Sequence, residues 1–277
     1  MKLSDTLCRD TCRIISVVGG GGKTSAIFTL AREAAAMGKS VLVTTTTAMF
    51  NPVEFNPLEF NPVEFNTDIP PEKKKHFYNR LYTGPATALP TETCGPGGIL
   101  VAAAGINRKK KKLIGYPPKD LRTAFTAQAF DLVLIEADGA RMRPVKAPAE
   151  HEPVVPQETD TLIGCIGLDC LDRPIDDTHV HRPALLAKIS GQTVGDPVTA
   201  QTLIRLAASE QGLFKPVHQA TPAPMKRVLL LNKADSRQLI LRGKGLGETI
   251  VGAGWADQCL VTRLNETQMP VKAHIAG

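Results

Sequence analysis

The sequence has few aromatic residues, a small excess of positive charge and no long hydrophobic run. Aromatic side chains make up 5% of its 277 residues, and the formal net charge at pH 7 is +6. Proteins that bind single-stranded nucleic acid combine cationic grooves with aromatic side chains on which bases stack. Few aromatics accompany the lysine clusters at 73–75 and 109–112. The charge fits an anionic ligand without requiring nucleic acid, so we expect no nucleic-acid partner and interpret both clusters as solvated loops.

The sequence also lacks the marks of a membrane or secreted protein. No apolar stretch reaches the roughly 20 residues that a transmembrane helix needs. The first residues include Asp5, Arg9 and Asp10 and contain no apolar signal core. We expect a cytoplasmic protein without a membrane span.

Six cysteines do not indicate a disulfide framework in a chain of this length and class. Cys8 and Cys12 are four residues apart, as metal ligands on a helix are, but two thiols without a second pair make a weak metal site. The apolar neighbours of Cys165 indicate a buried small hydrophobe. We therefore base no function on the cysteines.

Strand-like and helix-like segments alternate along the chain, which predicts an α/β fold with a mostly parallel sheet flanked by helices. Short apolar runs predict strands at 14–18, 40–44, 98–103, 131–136, 160–167 and 227–232. Helical spacing of apolar residues predicts helices at 23–37, 118–129, 183–190, 197–211 and 235–251. Ligands of such sheets bind at the carboxyl ends of the strands. The length allows one sizeable core, and we expect a single domain over residues 1–277.

The most informative segment is a glycine-rich stretch between the first predicted strand and the first predicted helix. It contains Gly19, Gly20, Gly21, Gly22, Lys23, Thr24 and Ser25. Glycines let backbone N–H groups turn toward an anion, and a helix N-terminus adds unpaired donors and partial positive charge. Lys23 is expected to contact the β- and γ-phosphates of a nucleotide, and the Thr24 hydroxyl to ligate Mg²⁺. The standard pattern has glycine where this chain has Val17, so the alternative is a flexible glycine turn.

A second motif is an apolar strand that ends in Glu136 and Asp138, followed by Gly139. Carboxylates beside a phosphate loop hold Mg²⁺ directly or through water. We expect catalytic and metal-binding roles for both carboxylates, and the Gly139 N–H as a contact for a γ-phosphate. The alternative is a strand that ends in an acidic turn.

Three cations, Arg141, Arg143 and Lys146, follow this acidic strand end. Cations here stabilise phosphate charge during transfer or bind an anionic substrate, and Arg141 is the catalytic candidate. The alternative is that the three are surface charges that offset Glu136 and Asp138.

A third motif, Asn232-Lys233-Ala234-Asp235, follows the last predicted strand. A carboxylate at Asp235 is able to accept from the guanine ring N–H and the exocyclic amine together, and adenine lacks that donor pair. Lys233 would lie along the base, and Asn232 would support the phosphate loop. This favours GTP over ATP as the nucleotide. The alternative is a strand-to-helix cap, with Asp235 capping the predicted helix 235–251.

Two weaker motifs leave their alternatives open. The four threonines at 44–47 end a strand, where hydroxyls complete a Mg²⁺ shell or contact a γ-phosphate, but threonine is also a good strand residue. His179 and His181 would bind a metal with a third ligand. A turn into helix 183–190 is the favoured interpretation, because Pro183 suits a first helical position.

One segment departs from the α/β pattern. Asn-Pro-x-Glu-Phe occurs three times in succession over residues 51–65. Proline at every fifth residue forbids a regular helix and a central strand. We interpret the segment as a low-complexity insert at about 50–66 in a tolerant loop. A docking arm that presents Val and Phe to a partner is the alternative.

Together these motifs resemble those of the selenium-dependent molybdenum hydroxylase accessory proteins, also described as selenium cofactor biosynthesis proteins. The resemblance covers about residues 12 to 252. It rests on the glycine stretch, the four threonines, Ile135 to Arg141, Arg143-Pro144, Lys146-Ala147-Pro148, His181-Arg182-Pro183 and Leu231 to Asp235. It implies a P-loop nucleotide-binding fold and a role in maturing a molybdenum hydroxylase, with that enzyme or its maturation proteins as partners.

More distantly, the chain is similar to GTP-dependent metallochaperones that insert nickel or cobalamin cofactors. Their strand-ending Glu-x-x-Gly matches Glu136 to Gly139, and their Asn-Lys-x-Asp matches Asn232 to Asp235. The chain lacks a Cys-rich metal-transfer motif, so the similarity does not extend to metal carriage.

The sequence thus predicts slow, Mg²⁺-dependent hydrolysis of GTP or ATP. The resemblance implies that this hydrolysis drives a switch in an accessory protein that delivers or modifies a cofactor. One alternative is a kinase or ligase that transfers phosphate to a small anionic substrate held by Arg141 and Arg143. The other is a non-catalytic scaffold whose bound nucleotide regulates partner binding.

Overall fold

The computed structural model describes residues 1–8, 12–52, 80–90, 95–126, 129–215, 225–266 and 269–277. Most of the Asn-Pro insert expected at about 50–66, from residue 53 onward, and the lysine cluster at 73–75 lie outside the described residues.

The described residues form six α-helices and fourteen β-strands, together with 3₁₀ turns at Ala86–Ala88 and Leu168–Cys170. The helices are α1 Ser4–Leu7, α2 Lys23–Ala36, α3 Pro118–Thr126, α4 Pro183–Ser190, α5 Ala200–Ala208 and α6 Arg237–Gly252. The first seven strands are β1 Ile14–Gly19, β2 Val41–Thr45, β3 Ala48–Phe50, β4 Arg80–Thr83, β5 Ile99–Ala103, β6 Gly105–Asn107 and β7 Lys112–Ile114. The others are β8 Leu132–Glu136, β9 Val145–Lys146, β10 Thr161–Gly167, β11 Val180–His181, β12 Lys226–Asn232, β13 Gln258–Thr262 and β14 Val271–Ala276.

Nine strands form one large sheet in the order β14-β13-β12-β10-β1-β8-β2-β5-β4. All neighbours in it are parallel except the antiparallel pair β13–β14 at one edge. β1 is central, between β8 and β10, so their carboxyl ends meet at the point where β1 leads into α2. The β9–β11 pair and the antiparallel sheet β3-β7-β6 lie outside this sheet.

Helices cover both faces of the large sheet, which explains why its strands are apolar runs without alternation. On one face α2 buries Ile27 and Leu30 against β1, β2 and β8. On the other face α3 covers one region with Leu121, and α4, α5 and α6 cover another that includes Leu203 and Ile250. Successive residues of one strand pack into hydrophobic clusters on opposite faces of the sheet, as Leu162 and Ile163 do.

The expected α/β class with a mostly parallel sheet flanked by helices is confirmed. All six predicted strands are present in the large sheet. The helix predicted at 197–211 is shorter, because Thr199 caps α5 and the helix ends at Ala208. The helix predicted at 118–129 begins at Pro118, and residues 127–128 lie outside the described part of the chain. Over the described residues, no helix combines the length and hydropathy needed to cross a membrane.

The helical spacing of Cys8 and Cys12 does not place them on one helix. Helix α1 ends at Leu7, and Cys8 is its C-terminal cap. Cys8 is buried, and burial raises the pKa of its thiol to about 12, so this thiol stays protonated at neutral pH. Cys165 is fully buried, as its apolar neighbours predict.

Candidate functional site

The glycine stretch forms the connection from β1 to α2 at the carboxyl edge of the sheet. Gly19, Gly21 and Gly22 have φ angles of +91°, +75° and +139°. A Cβ on Gly21 would collide with the backbone N of Gly167, and one on Gly22 would collide with the side-chain amide of Asn232. Glycine is therefore required here by backbone conformation and by close packing at the same time.

Three N–H groups of the stretch are already bonded within the protein. Gly20 N–H donates to Cys165 O at 2.9 Å, and Gly21 N–H donates to Arg143 O at 3.0 Å. Gly19 N–H donates to Asp138 Oδ2 at 3.1 Å. These bonds fix the path of the loop, and they do not use the N–H groups of residues 22–25.

The N-terminus of α2 supplies those later N–H groups. No side chain caps this helix at Gly22. The first N–H groups of an α-helix have no acceptor within the helix. The N–H groups of residues 22–25 are therefore the candidate donors to an anion, in a partial positive field from the helix.

Lys23 lies under the loop and is almost completely buried, as is its partner Asp138. Its ammonium donates to Gly19 O at 2.7 Å and lies 3.2 Å from Asp138 Oδ1. Burial opposes the charged form, but Asp138 and then Glu136 overcome this effect, so the pKa of Lys23 is raised. The lysine is thus held as a cation at the junction of the loop and the acidic strand end.

Thr24 and Glu136 form a second contact between α2 and β8. Thr24 Oγ1 donates to Glu136 Oε2 at 2.8 Å. Burial raises the pKa of the Glu136 carboxyl, while Lys23 and the Thr24 hydroxyl partly offset that effect. Thr24, Glu136 and Asp138, the three predicted Mg²⁺ ligands, therefore lie around one junction.

Asp138 also begins a line of alternating charges that leads away from the loop. Lys146, on β9, lies 2.8 Å from Asp138 Oδ2 and 2.7 Å from Glu152 Oε2, and its side chain is fully buried. Arg182 Nη1 lies 2.6 Å from the same Glu152 oxygen. Burial raises the pKa of the Glu152 carboxyl, but Arg182 and then Lys146 outweigh this effect and lower the pKa to about 2.

Sequence reasoning missed Glu152 and Arg182 as members of this line. Arg182 stands in the motif His181-Arg182-Pro183, and Glu152 follows the motif Lys146-Ala147-Pro148 by four residues. Nothing in the spacing of 146, 152 and 182 predicts that the three side chains meet, because a loop and the short pair β9–β11 bring them together.

The side chains of Arg141 and Arg143 are expected to act together on an anion, but the structure uses the two residues differently. Arg141 and Met142 have positive φ angles of +49° and +61° in an exposed turn. Arg143 contributes its carbonyl oxygen, which accepts from Gly21 N–H. Among the described residues, the Arg141 side chain has no hydrogen-bond or ion-pair partner, so it is not brought into contact with Lys23 or either carboxylate.

The four threonines at the end of β2 are mostly occupied by backbone contacts. The hydroxyls of Thr44, Thr45 and Thr46 donate to the carbonyl oxygens of Ala102, Glu136 and Val154. These bonds support the interpretation of Thr44 and Thr45 as strand residues, while Thr46 follows the end of β2. Within the described part of the chain, the buried hydroxyl of Thr47 has no partner.

Asn232, at the end of β12, contacts the glycine loop directly. Its Nδ2 donates to Gly21 O at 2.9 Å, and its Oδ1 accepts from Leu264 N–H at 3.2 Å. The neighbouring Lys233 has a φ of +61°, and its ammonium lies 2.7 Å from Asp169 Oδ2. Asn232 thereby links the base-recognition motif predicted at 232–235 to the loop.

Asp235 is exposed, and its Oδ1 lies 3.3 Å from Arg263 Nε. The alternative interpretation, in which it caps a helix at 235–251, is wrong. Ser236 is the N-cap of α6, and its hydroxyl accepts from Leu239 N–H at 3.1 Å. The helix therefore begins two residues later than predicted, and the Asp235 carboxylate is not used in capping.

The two histidines of the 179–181 segment are separated. His179 Nδ1 lies 2.9 Å from Asp176 Oδ1, while His181 is on β11 beside β9. Burial, followed by Arg182 and Lys146, lowers the pKa of His181 to about 4. Over the residues that the structure describes, no three His, Cys, Asp or Glu side chains are grouped to hold a metal ion.

Comparisons with known proteins identify relatives of the chain. A family model described as YqeC protein matches residues 15–184, which include the glycine loop, both carboxylates and the line of charges to Arg182. The chain is 32% identical over 220 residues to a protein of Escherichia coli (strain K12) described as "Uncharacterized protein YqeC". That alignment covers 79% of this chain and 75% of the relative. No solved structure matches the chain.

Proposed function

The chain belongs to the YqeC family, and we propose that it is a nucleoside-triphosphate-binding accessory protein with a P-loop NTPase-like fold. Its activity is slow, Mg²⁺-dependent hydrolysis of the nucleotide. The observation that carries this proposal is the meeting of Lys23 and Thr24, at the start of α2, with Asp138 and Glu136, at the end of β8. In phosphoryl transfer the protein contributes mainly positioned cations and metal ligands, as in this arrangement, and little covalent chemistry.

The loop provides the phosphate contacts. The uncapped N–H groups of residues 22–25 donate to phosphate oxygens, and the helix field favours their negative charge. Lys23 neutralises charge on the β- and γ-phosphates. The bonds of Gly19, Gly20 and Gly21 within the protein hold the loop in shape without a ligand-induced rearrangement.

The residues present fit Mg²⁺, because Thr24 Oγ1 and the carboxylates of Glu136 and Asp138 are the hard oxygen donors that this ion prefers. When bound, Mg²⁺ supplies charge neutralisation across the β- and γ-phosphates. Thr24 orients Glu136 through their hydrogen bond, and Asp138 positions Lys23 and the Gly19 N–H. The exposed Arg141 adds positive charge beside the developing phosphate charge.

The base-recognition part of the proposal favours GTP over ATP. Asp235 accepts from the guanine ring N–H and amine, Lys233 lies along the base, and Asn232 keeps this segment in register with the loop. A carboxylate at Asp235 accepts hydrogen bonds through two oxygens, which matches the two adjacent donors on guanine.

The biological role that we propose is assistance in maturing a molybdenum hydroxylase or in assembling its selenium or molybdenum cofactor. It is supported by the resemblance of the motifs described above. The nucleotide state then switches the protein between forms with different affinity for the enzyme or its maturation proteins. The proposal includes neither a nucleic-acid partner nor metal carriage by cysteines.

A kinase or ligase acting on a small anion is the second candidate. It is supported by the exposed Arg141, whose side chain has no partner among the described residues and lies on the turn beside the loop. Analysis of the products separates the two functions, since a kinase yields a phosphorylated acceptor where a hydrolase yields free phosphate.

Titration with fluorescent GTP and ATP analogues in Mg²⁺, followed by phosphate-release assays, tests the proposal. Lys23→Ala should remove triphosphate binding, because it deletes the cation that faces the phosphates. Lys244→Ala, at an exposed lysine on α6, is the matched control and should behave as the wild type. If Lys23→Ala bound triphosphate as tightly as Lys244→Ala, the proposal would be wrong.

A further inference from the structure

Lys146 is a buried cation of the site, and the proposed function gives this residue no role. Its side chain has no exposed area, and its ammonium lies between the carboxylates of Asp138 and Glu152, 2.8 Å and 2.7 Å away. Desolvation of a buried ion pair costs about as much as the attraction returns, and well-packed apolar residues are often as stabilising. Fold stability alone therefore gives no reason for an ammonium at this position.

The contacts of Asp138 suggest what the ammonium does. Asp138 Oδ1 lies 3.2 Å from Lys23, and Asp138 Oδ2 lies 2.8 Å from Lys146. Glu136, on the same strand end, and Cys165, on β10, also act electrostatically on Lys23. Asp138 is thus shared by two lysines, one on the phosphate-binding helix and one on β9.

A phosphate group at the helix N-terminus competes with Asp138 for Lys23. If Lys23 were the only protein cation at Asp138, its departure would leave the buried carboxylate without a charged protein partner, at a cost in free energy. Lys146 removes this cost, because it stays beside Asp138 whether Lys23 contacts the carboxylate or a phosphate. Glu152 in turn is held by Arg182, at 2.6 Å, so Lys146 has a fixed position.

We infer that Lys146 is a positioning residue, whose buried ammonium holds the Asp138 carboxylate in place so that Lys23 is free to engage a phosphate. This inference rests on the proposed function, because it concerns the same phosphate site. Lys146 itself is behind Asp138, fully buried, and does not contact the nucleotide.

Substitutions on the two sides of Lys146 have opposite expected effects. Lys146→Met leaves Asp138 with Lys23 alone, which ties the loop lysine to the carboxylate and weakens triphosphate binding. Glu152→Gln leaves Lys146 with Asp138 alone, which strengthens that pair and releases Lys23, so triphosphate binding becomes tighter. A role in folding alone would lower the stability of both variants and would not move the two affinities in opposite directions.

The experiment is a titration of wild type, Lys146→Met, Glu152→Gln, Asp138→Asn and the double variant Asp138→Asn/Lys146→Met with a fluorescent GTP analogue in Mg²⁺. We expect Lys146→Met to weaken binding about tenfold, within the coupling range for residues of one ion-pair network. In the Asp138→Asn background the same substitution should change the affinity less than about twofold, because its effect passes through that carboxylate. Thermal unfolding of each variant shows which of them fold, and Lys146→Gln replaces Lys146→Met if the latter does not.

Three results of these titrations test the inference about Lys146. Opposite shifts by Lys146→Met and Glu152→Gln, with the first one lost in the Asp138→Asn background, support the inference. Unchanged affinity in folded Lys146→Met, or an equal loss in both backgrounds, overturns it and leaves the proposed function standing. Absence of triphosphate binding by the wild type overturns the proposed function, and the inference with it.

Discussion

Thr24 Oγ1 donates a 2.8 Å hydrogen bond to Glu136 Oε2, and so the first turn of α2 is tied to the carboxyl end of β8. Two segments separated by more than one hundred residues thereby meet at one point. The hydroxyl satisfies one oxygen of a buried carboxylate whose pKa is raised by that burial. The pair brings two hard oxygen donors together where the glycine loop ends.

Thr24→Val should weaken Mg²⁺ binding, so that hydrolysis requires a higher Mg²⁺ concentration. The substitution keeps the shape of the side chain and removes the hydroxyl, so Glu136 loses its donor and the metal loses a ligand. We expect the Mg²⁺ concentration for half-maximal rate to rise about 10- to 100-fold. Steady-state phosphate release over a Mg²⁺ series measures it. Thr249→Val, which removes an exposed hydroxyl on α6, is the control, and equal Mg²⁺ curves for both variants would refute a role for Thr24.

Gly21→Ala should destabilise the protein more than Gly38→Ala does. Both glycines have positive φ, +75° and +83°, so alanine is strained at either position. A Cβ on Gly21 also collides with Gly167, whereas one on Gly38 has no atom within 4 Å. We expect a loss of about 1–2 kcal/mol at Gly38 from conformation alone and a larger loss at Gly21. Urea unfolding gives both free energies, and equal losses would show that the loop is not tightly packed.

Asp235→Asn should remove a preference for guanine. An amide cannot accept two hydrogen bonds from adjacent donors as a carboxylate does. We expect GTP affinity to fall about tenfold or more, with little change for ATP. Competition titrations with GTP and ATP measure this ratio. Asp172→Asn is the control, because Asp172 is also an exposed carboxylate paired with an arginine, Arg242. Equal wild-type affinities for GTP and ATP would end the guanine hypothesis.

His181 should make the protein less stable as the pH falls. Its pKa is lowered from 6.5 to about 4 in the folded chain, by burial and then by Arg182 and Lys146. The unfolded chain therefore binds a proton before the folded chain does, so stability is lost between about pH 6.5 and pH 4. His181→Asn removes this contribution, and its free energy of unfolding should fall less over that interval than the wild-type value. Urea unfolding at pH 7.5, where both states hold a neutral imidazole, provides the reference.

The central part of the fold was predictable because its strands carry local signals. β1, β2, β5, β8, β10 and β12 are apolar runs buried on both faces, and the glycine stretch marks the start of α2. The short strands β3, β6 and β7 carry no comparable signal, since three residues do not define a period. β14 pairs antiparallel with β13 because of the path by which the chain returns to the sheet edge. The local hydrophobic pattern of the sequence does not encode that path.

Candidate site residues could be named from the sequence where they belong to motifs, whereas contacts between residues distant in sequence could not be predicted. Lys23, Thr24, Glu136 and Asp138 are candidates from spacing alone, whereas the pairing of Lys146 with Glu152 is set by a loop path. The backbone use of Arg143 and the pairing of Asp235 with Arg263 also depend on neighbours distant in sequence.

A crystal structure of the chain with Mg²⁺ and a non-hydrolysable GTP analogue tests the central claim most directly. The account predicts phosphate oxygens within hydrogen-bond distance of the N–H groups of residues 22–25 and of Lys23 Nζ. It also predicts Mg²⁺ between Thr24 and the carboxylates of β8 and its following loop. A nucleotide bound elsewhere, with the start of α2 free of phosphate at saturating concentration, would contradict it.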